Sequence, residues 1–145
     1  MDALELLKID HDKVKFLFKQ VGTASSVKEK RGLFNRIFDE LTVHSHIEKT
    51  VLYPAFTKYP EFKNIIDRSY YEHQQADNLL MEIEKLDQQS PELSSKLDQL
   101  IQSVTQHVEE EENELFPMIR KTMRRPEREA LGRHLQAAKS EQAAA

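Results

Sequence analysis

Apolar residues recur along this chain with the three-and-four spacing of amphipathic helices, in four long blocks followed by one short one. Leu4, Leu7, Val14, Phe18 and Val21 form the seam of the first block. Leu41 and Leu52 mark the second, Ile66, Ala76, Leu80 and Ile83 the third, and Leu93, Leu97, Leu100, Val104 and Met118 the fourth. Breakers set the limits. Gly22 closes a first helix predicted over about residues 2 to 21, and Ser26 with Glu29 three positions later is a capping-box signature for a second that runs to about Phe56. Pro60 opens the third, and Ser90 with Pro91 supplies an N-cap and first-turn proline for the fourth. Pro126 ends the fourth near Arg124, leaving a tail helix over about 127 to 139. Short connections between long helices make neighbours antiparallel. The expected fold is therefore all-α, an up-down-up-down antiparallel four-helix bundle with a short C-terminal helix. At 145 residues the chain is expected to form one domain, 1–145, with the bundle over about 2–124.

Polar residues interrupt the four seams. His11 sits in the middle of the first apolar stripe, His44 and Glu48 lie on the inner face of the second helix, His73 on that of the third, and His107 and Glu111 on that of the fourth. The phrase H-x3-E-x3-L-aromatic-P occurs twice, offset by 63 positions (44 to 107), as His44, Glu48, Leu52, Tyr53, Pro54 and His107, Glu111, Leu115, Phe116, Pro117. Each copy has its own upstream histidine. A buried carboxylate without a partner is costly, and no Lys or Arg occupies these seams, so a cation from outside is the natural counter-charge. Residues four apart share a helix face, which lets each His-x3-Glu pair aim a nitrogen and a carboxylate at one place.

The donor count suits two metal ions. Four imidazoles would be terminal ligands and two carboxylates would bridge; with one oxo or hydroxo bridge they fill about ten of about twelve octahedral positions. The remaining positions are open or hold water. Imidazole and carboxylate suit iron, and also zinc, manganese and cobalt.

Composition narrows the chemistry. With no cysteine, disulfides, thiolate ligands, iron–sulfur clusters and thiol catalysis are excluded. The charge of −4, with both signs interspersed, provides no broad electropositive face for nucleic acid. There is no basic amphipathic helix, no run of about 20 apolar residues for a membrane span and no apolar signal-peptide core, so a cytoplasmic protein is expected.

In this pattern of a lone His, H-x3-E, a second lone His and H-x3-E, the chain resembles the hemerythrin-like, or HHE cation-binding, domain family. The match covers about residues 1 to 124 and maps onto His11, His44 with Glu48, His73, and His107 with Glu111. Such a resemblance implies a non-heme di-iron site with carboxylate and oxo or hydroxo bridges, handling dioxygen, nitric oxide, peroxide or iron. The oxygen carriers of the family have a fifth histidine four residues after the third-helix His and end in H-x4-D. This chain has Asp77 at the first place and H-x3-E at the second. Asp77 is a candidate extra ligand, a partner for an imidazole N–H, or a surface residue.

Three functions follow: reversible capture of dioxygen or nitric oxide for storage, sensing or delivery; an enzyme that decomposes peroxide, reduces nitric oxide or oxidises ferrous iron; and donation of iron for repair of iron centres. Capture of a small diatomic ligand is the leading expectation. Beyond the six candidates, His46 falls on another helix face, His134 is expected to be exposed, and Tyr70 and Tyr71 are expected to serve helix packing. In the acidic run Glu109 to Glu112 only Glu111 is in register, and the two Leu-aromatic-Pro segments are read as structural plugs at the bundle end.

Overall fold

A computed structural model describes residues 1–144, and Ala145, the last residue of the expected domain, lies outside the described residues. All regular structure among the described residues is helical. Helix α1 spans Ala3–Thr23, α2 Val27–Ile47, α3 Lys63–Lys85, α4 Leu93–Glu110, α5 Phe116–Thr122 and α6 Arg125–Ala144. None of them is long and apolar enough to cross a membrane.

Local signals explain most boundaries. Asp2 accepts from the Glu5 N–H at 3.0 Å while the Glu5 carboxylate accepts from the Asp2 N–H at 3.2 Å, a complete capping box that starts α1. Ser26 caps α2 by accepting from the Glu29 N–H, but the Glu29 carboxylate turns instead to the Ser25 N–H and hydroxyl, so only half of the expected box forms. Ser90 accepts from the Glu92 N–H, and α4 starts later than expected, at Leu93. Pro126 is not a terminator. It occupies the first turn of α6, where a missing N–H costs nothing, and the break falls at Met123 in extended backbone. The tail helix is consequently longer than its expected limits of 127 to 139.

The second helix is not α-helical as far as Phe56. After Ile47 the chain enters a π-helical turn, Glu48–Leu52, and then a 3-10 turn, Tyr53–Phe56. The fourth helix does the same at Glu111–Leu115 before resuming as α5. Pro54 and Pro117 lack the N–H for an α-helical bond to the residue four back, and their rings crowd that carbonyl. The widened turn relieves both problems: Tyr53 N–H bonds Glu48 C=O and Phe116 N–H bonds Glu111 C=O, five residues back in each case.

Helix α1 packs on α2 and α6, and α3 packs on α4; α6 also lies against α2 and the first π-turn. The apolar core is in two parts. One gathers Leu7, Ile47, Leu52, Phe56, Phe62, Leu115, Ile119 and Leu135. The other gathers Val14, Phe34, Ile37, Ile83, Leu97, Leu100, Val104 and Val108. His11 stands between Leu7 and Val14 on α1, at the junction of the two, and a layer of buried polar side chains lies there.

Candidate metal centre

The structure brings His11, His44, Glu48, His73, His107 and Glu111 into this layer, all of them buried. Their donor atoms form two groups, His11, His44, Glu48, Glu111 and Glu48, His73, His107, Glu111, with the atoms of each group within 4.8 Å of one another. Both glutamates belong to both groups. Glu48 and Glu111 open the two π-turns, so each sits where its helix changes pitch.

Every inward imidazole atom is Nε2. His11 Nε2 lies 3.2 Å from Glu111 Oε1, His44 Nε2 3.1 Å from Glu48 Oε2, and His107 Nε2 3.3 Å from Glu111 Oε2. These contacts lack hydrogen-bond geometry: Nε2 of His11, His44 and His107, together with Glu48 Oε2 and Glu111 Oε1, have no hydrogen-bond partner. Leaving one buried polar atom unpaired costs about 1–3 kcal/mol, and five in one layer need a common explanation. Two donors bound at right angles to one ion at about 2.1 Å stand about 3 Å apart, which is the spacing seen. The donor set therefore fits metal ions.

The outward nitrogens form a closed ring of support. Each Nδ1 meets a side chain from the helix before it in the ring: His44 meets Asp10 of α1 at 3.0 Å, His73 meets Ser45 of α2 at 2.8 Å, His107 meets Glu72 of α3 at 2.7 Å, and His11 meets Glu112 of the second π-turn at 2.6 Å. Asp10, Ser45, Glu72 and Glu112 are each the immediate sequence neighbour of a candidate ligand. With Nδ1–H donated to these oxygens, loss of the Nε2 proton leaves a lone pair facing inward, the tautomer a metal ligand needs. Lys139 of α6 also bonds Asp10, which ties the tail helix to the layer.

The electrostatics are those of a site short of positive charge. Burial alone would lower the His44 and His107 imidazoles, but the surrounding carboxylates outweigh it, Glu48 and Asp10 taking His44 up to about 10, and Glu111, Glu48 and Glu72 taking His107 up to about 12. Burial would likewise raise Glu48, yet the His44 charge and hydrogen bonds hold it well below the usual carboxylate range. The fold thus keeps the fully buried Glu48 carboxylate ionised.

Tyr53 was expected to be a plug and is more than that. It is 0% exposed, and its hydroxyl lies 2.9 Å from His73 Nε2, 2.9 Å from Glu111 Oε2 and 3.1 Å from Glu48 Oε1. Phe116, its counterpart, stacks on the His11 ring at 6.0 Å. Asp77 reaches none of the six; it pairs with Lys49 Nζ at 3.2 Å with its side chain 37% exposed. Tyr70 packs edge-on against Tyr53, while Tyr71 and His134 are exposed. Glu112, read from sequence as part of a solvated face, instead holds His11. On the side away from Tyr53 a cavity of about 40 Å³ reaches all four histidines and is walled by Val14, Leu41, Ala76, Leu80, Val104 and Val108.

Comparison with known proteins agrees with this geometry. The family model described as hemerythrin HHE cation binding domain matches residues 2–119. A crystal structure of a hemerythrin HHE cation binding domain-containing protein from Mycobacterium kansasii superposes with a TM-score of 0.83 at 25% identity, covering 98% of this chain and 87% of that one. An uncharacterised hemerythrin-like protein of Schizosaccharomyces pombe is 28% identical over 114 residues, 77% of this chain and 56% of its own length. A Nostoc protein named DNA nickase is 29% identical over 140 residues, 97% of this chain. This chain spans 40% of that relative's length.

Proposed function

The chain belongs to the hemerythrin HHE cation-binding domain family, and from that premise we propose that its buried layer holds two bridged iron ions and captures a small diatomic ligand, dioxygen or nitric oxide, for storage, sensing or delivery. The observation that carries the reading is the convergence of unpaired nitrogen and carboxylate donors beside a small apolar cavity. His11 and His44 would serve one ion, His73 and His107 the other, and Glu48 and Glu111 would bridge them. In this reading the chain is one cytoplasmic domain whose four long helices run up, down, up and down, and it takes no nucleic acid or membrane as partner.

Bound iron would supply redox-active coordination positions to the ligand. The protein's own residues do the rest. Val14, Leu41, Ala76, Leu80, Val104 and Val108 give the cavity beside the histidines apolar walls, and its volume of about 40 Å³ is enough for a small diatomic molecule. The ring of Asp10, Ser45, Glu72 and Glu112 fixes the imidazole planes. The test is elemental analysis of protein reconstituted with ferrous iron, followed by nitric oxide titration of the reduced form under argon. Two irons per chain and a saturable spectral change are expected; absence of iron uptake, or a reduced form indifferent to both gases, refutes the reading.

A second reading is an enzyme that decomposes peroxide, reduces nitric oxide or oxidises ferrous iron. Asp77, at the place of the fifth histidine of the oxygen carriers, is engaged by Lys49, which favours a site with more room for turnover. Multiple turnovers, as opposed to stoichiometric uptake, separate it from simple capture. Iron donation for repair ranks third, since six buried donors hold a metal tightly.

A further inference from the structure

The duplicated motif would make the two halves of the site equivalent, and one residue breaks the equivalence. Resting on the di-iron reading above, we propose that Tyr53 is an oxygen ligand of the ion held by His73 and His107, so that this subsite has five protein donors and the His11/His44 subsite four. The two aromatic residues of the repeated phrase reach the layer in the same way, each delivered by a π-turn that opens at a bridging glutamate. Tyr53 brings a hydroxyl there; Phe116 brings only a ring.

The geometry is that of a ligand. Tyr53 Oη, His73 Nε2 and Glu48 Oε1 form a triangle with sides of 2.9, 2.8 and 3.1 Å. Adjacent ligands on one octahedral face stand about 3 Å apart when bonds are about 2.1 Å long. Glu111 Oε2 lies 2.9 Å from the same hydroxyl, and His107 Nε2 lies 3.3 Å from that carboxylate oxygen, which extends the set to five donors around one point. A phenol has one proton and can donate to only one of the two carboxylates, with Glu48 Oε1 then left to the His73 Nε2–H 2.8 Å away. A cation bound among the five donors would take the place of both protons. The hydroxyl is fully buried, so water does not compete for the position. As the oxygen–metal bond forms, the phenolic proton leaves for solvent, and the anionic oxygen offsets one further positive charge. Tyrosine oxygen is a proven protein ligand for iron, as in catalase haem.

His73 is distinctive in a second way. Its Nδ1 partner is the neutral hydroxyl of Ser45, whereas His11, His44 and His107 each have a carboxylate. The subsite that gains a phenol oxygen is thus also the one whose imidazole support is less negative. An exogenous ligand is directed toward the ion of His11 and His44, where more positions remain.

The experiment uses the whole chain, reconstituted with ferrous iron, oxidised in air and assayed first for iron content. Resonance Raman spectra excited in the visible band of the ferric protein should show enhanced phenolate ring modes. Tyr53→Phe should lose those modes and that band while keeping two irons per chain. Growth of the wild-type protein on ring-deuterated tyrosine should shift the same modes, a readout independent of whether the variant folds. Iron bound at full stoichiometry with no phenolate modes overturns this inference and leaves the di-iron reading standing. Failure to bind iron at all overturns both.

Discussion

Asp10→Asn isolates the support ring from the ligands it holds. The buried Asp10 carboxylate accepts from His44 Nδ1 at 3.0 Å and bonds Lys139 of α6. The amide keeps the shape and one acceptor but removes the charge, which weakens the pull on the imidazole proton and breaks the ion pair. Loss of such a partner lowers metal affinity by about 10- to 100-fold, or about 1.4–2.7 kcal/mol. Metal-free stability should also fall by about 1–3 kcal/mol, because the Lys139 ammonium loses a largely buried partner. In a chain of this size that is a drop of roughly 3–9 °C in Tm. Affinity is read by competition with a chelator of known strength, and Tm by circular dichroism. Asp77→Asn is the control. Its carboxylate meets Lys49 at a half-exposed site and should change stability by less than about 1 kcal/mol without altering metal affinity. If Asp10→Asn and Asp77→Asn bound metal equally well, the ring would be a packing feature and not a support for ligation.

Ser45→Ala should weaken metal binding less than Asp10→Asn, since a neutral hydrogen bond contributes about 1 kcal/mol or less; chelator competition on the pair checks the order. In the metal-free protein His44 stands raised to about 10 and His107 to about 12, both above their unfolded value of about 6.5. Their contribution to stability is therefore complete below about pH 6.5 and lost as pH rises through those raised values, so the Tm of the metal-free protein should fall in alkali. For the same reason metal uptake at neutral pH should release protons into a weakly buffered solution, and a titration that released none would contradict protonation of His44 and His107. Gly132→Ala would place a Cβ 2.7 Å from Met1 C=O and 3.0 Å from the Ala3 N–H, where backbone must yield, and should cost about 1–3 kcal/mol with iron content unchanged.

The six candidate donors were legible because burial of charge is conspicuous in an apolar seam: His11 between Leu7 and Val14, or Glu111 one turn after His107, stands out at once. The support ring was not, although a signal existed. Asp10, Ser45, Glu72 and Glu112 are each adjacent to a candidate ligand, and a side chain one position along a helix points about 100° away, toward the neighbouring helix. Such flank positions look solvent-facing until the next helix is in place. Tyr53 was missed for a different reason. An α-helix carries the fifth residue about 140° past Glu48, and only a π-turn returns it beneath the carboxylate. Helix limits at Ser90 and Pro126 shifted by a few residues because a proline serves equally as a stop for one helix and a start for the next.

The two π-turns behave as single-residue insertions, one per motif copy, retained within otherwise regular helices. Winding the same residues at the ordinary α-helical pitch, with none removed, would swing everything downstream by about 100° about the axis. The phenol would leave the layer, and Leu52 and Phe56 would lose their seats in the core. The coordination chemistry of this protein is in that sense written as a length: the number of residues between a glutamate and a proline.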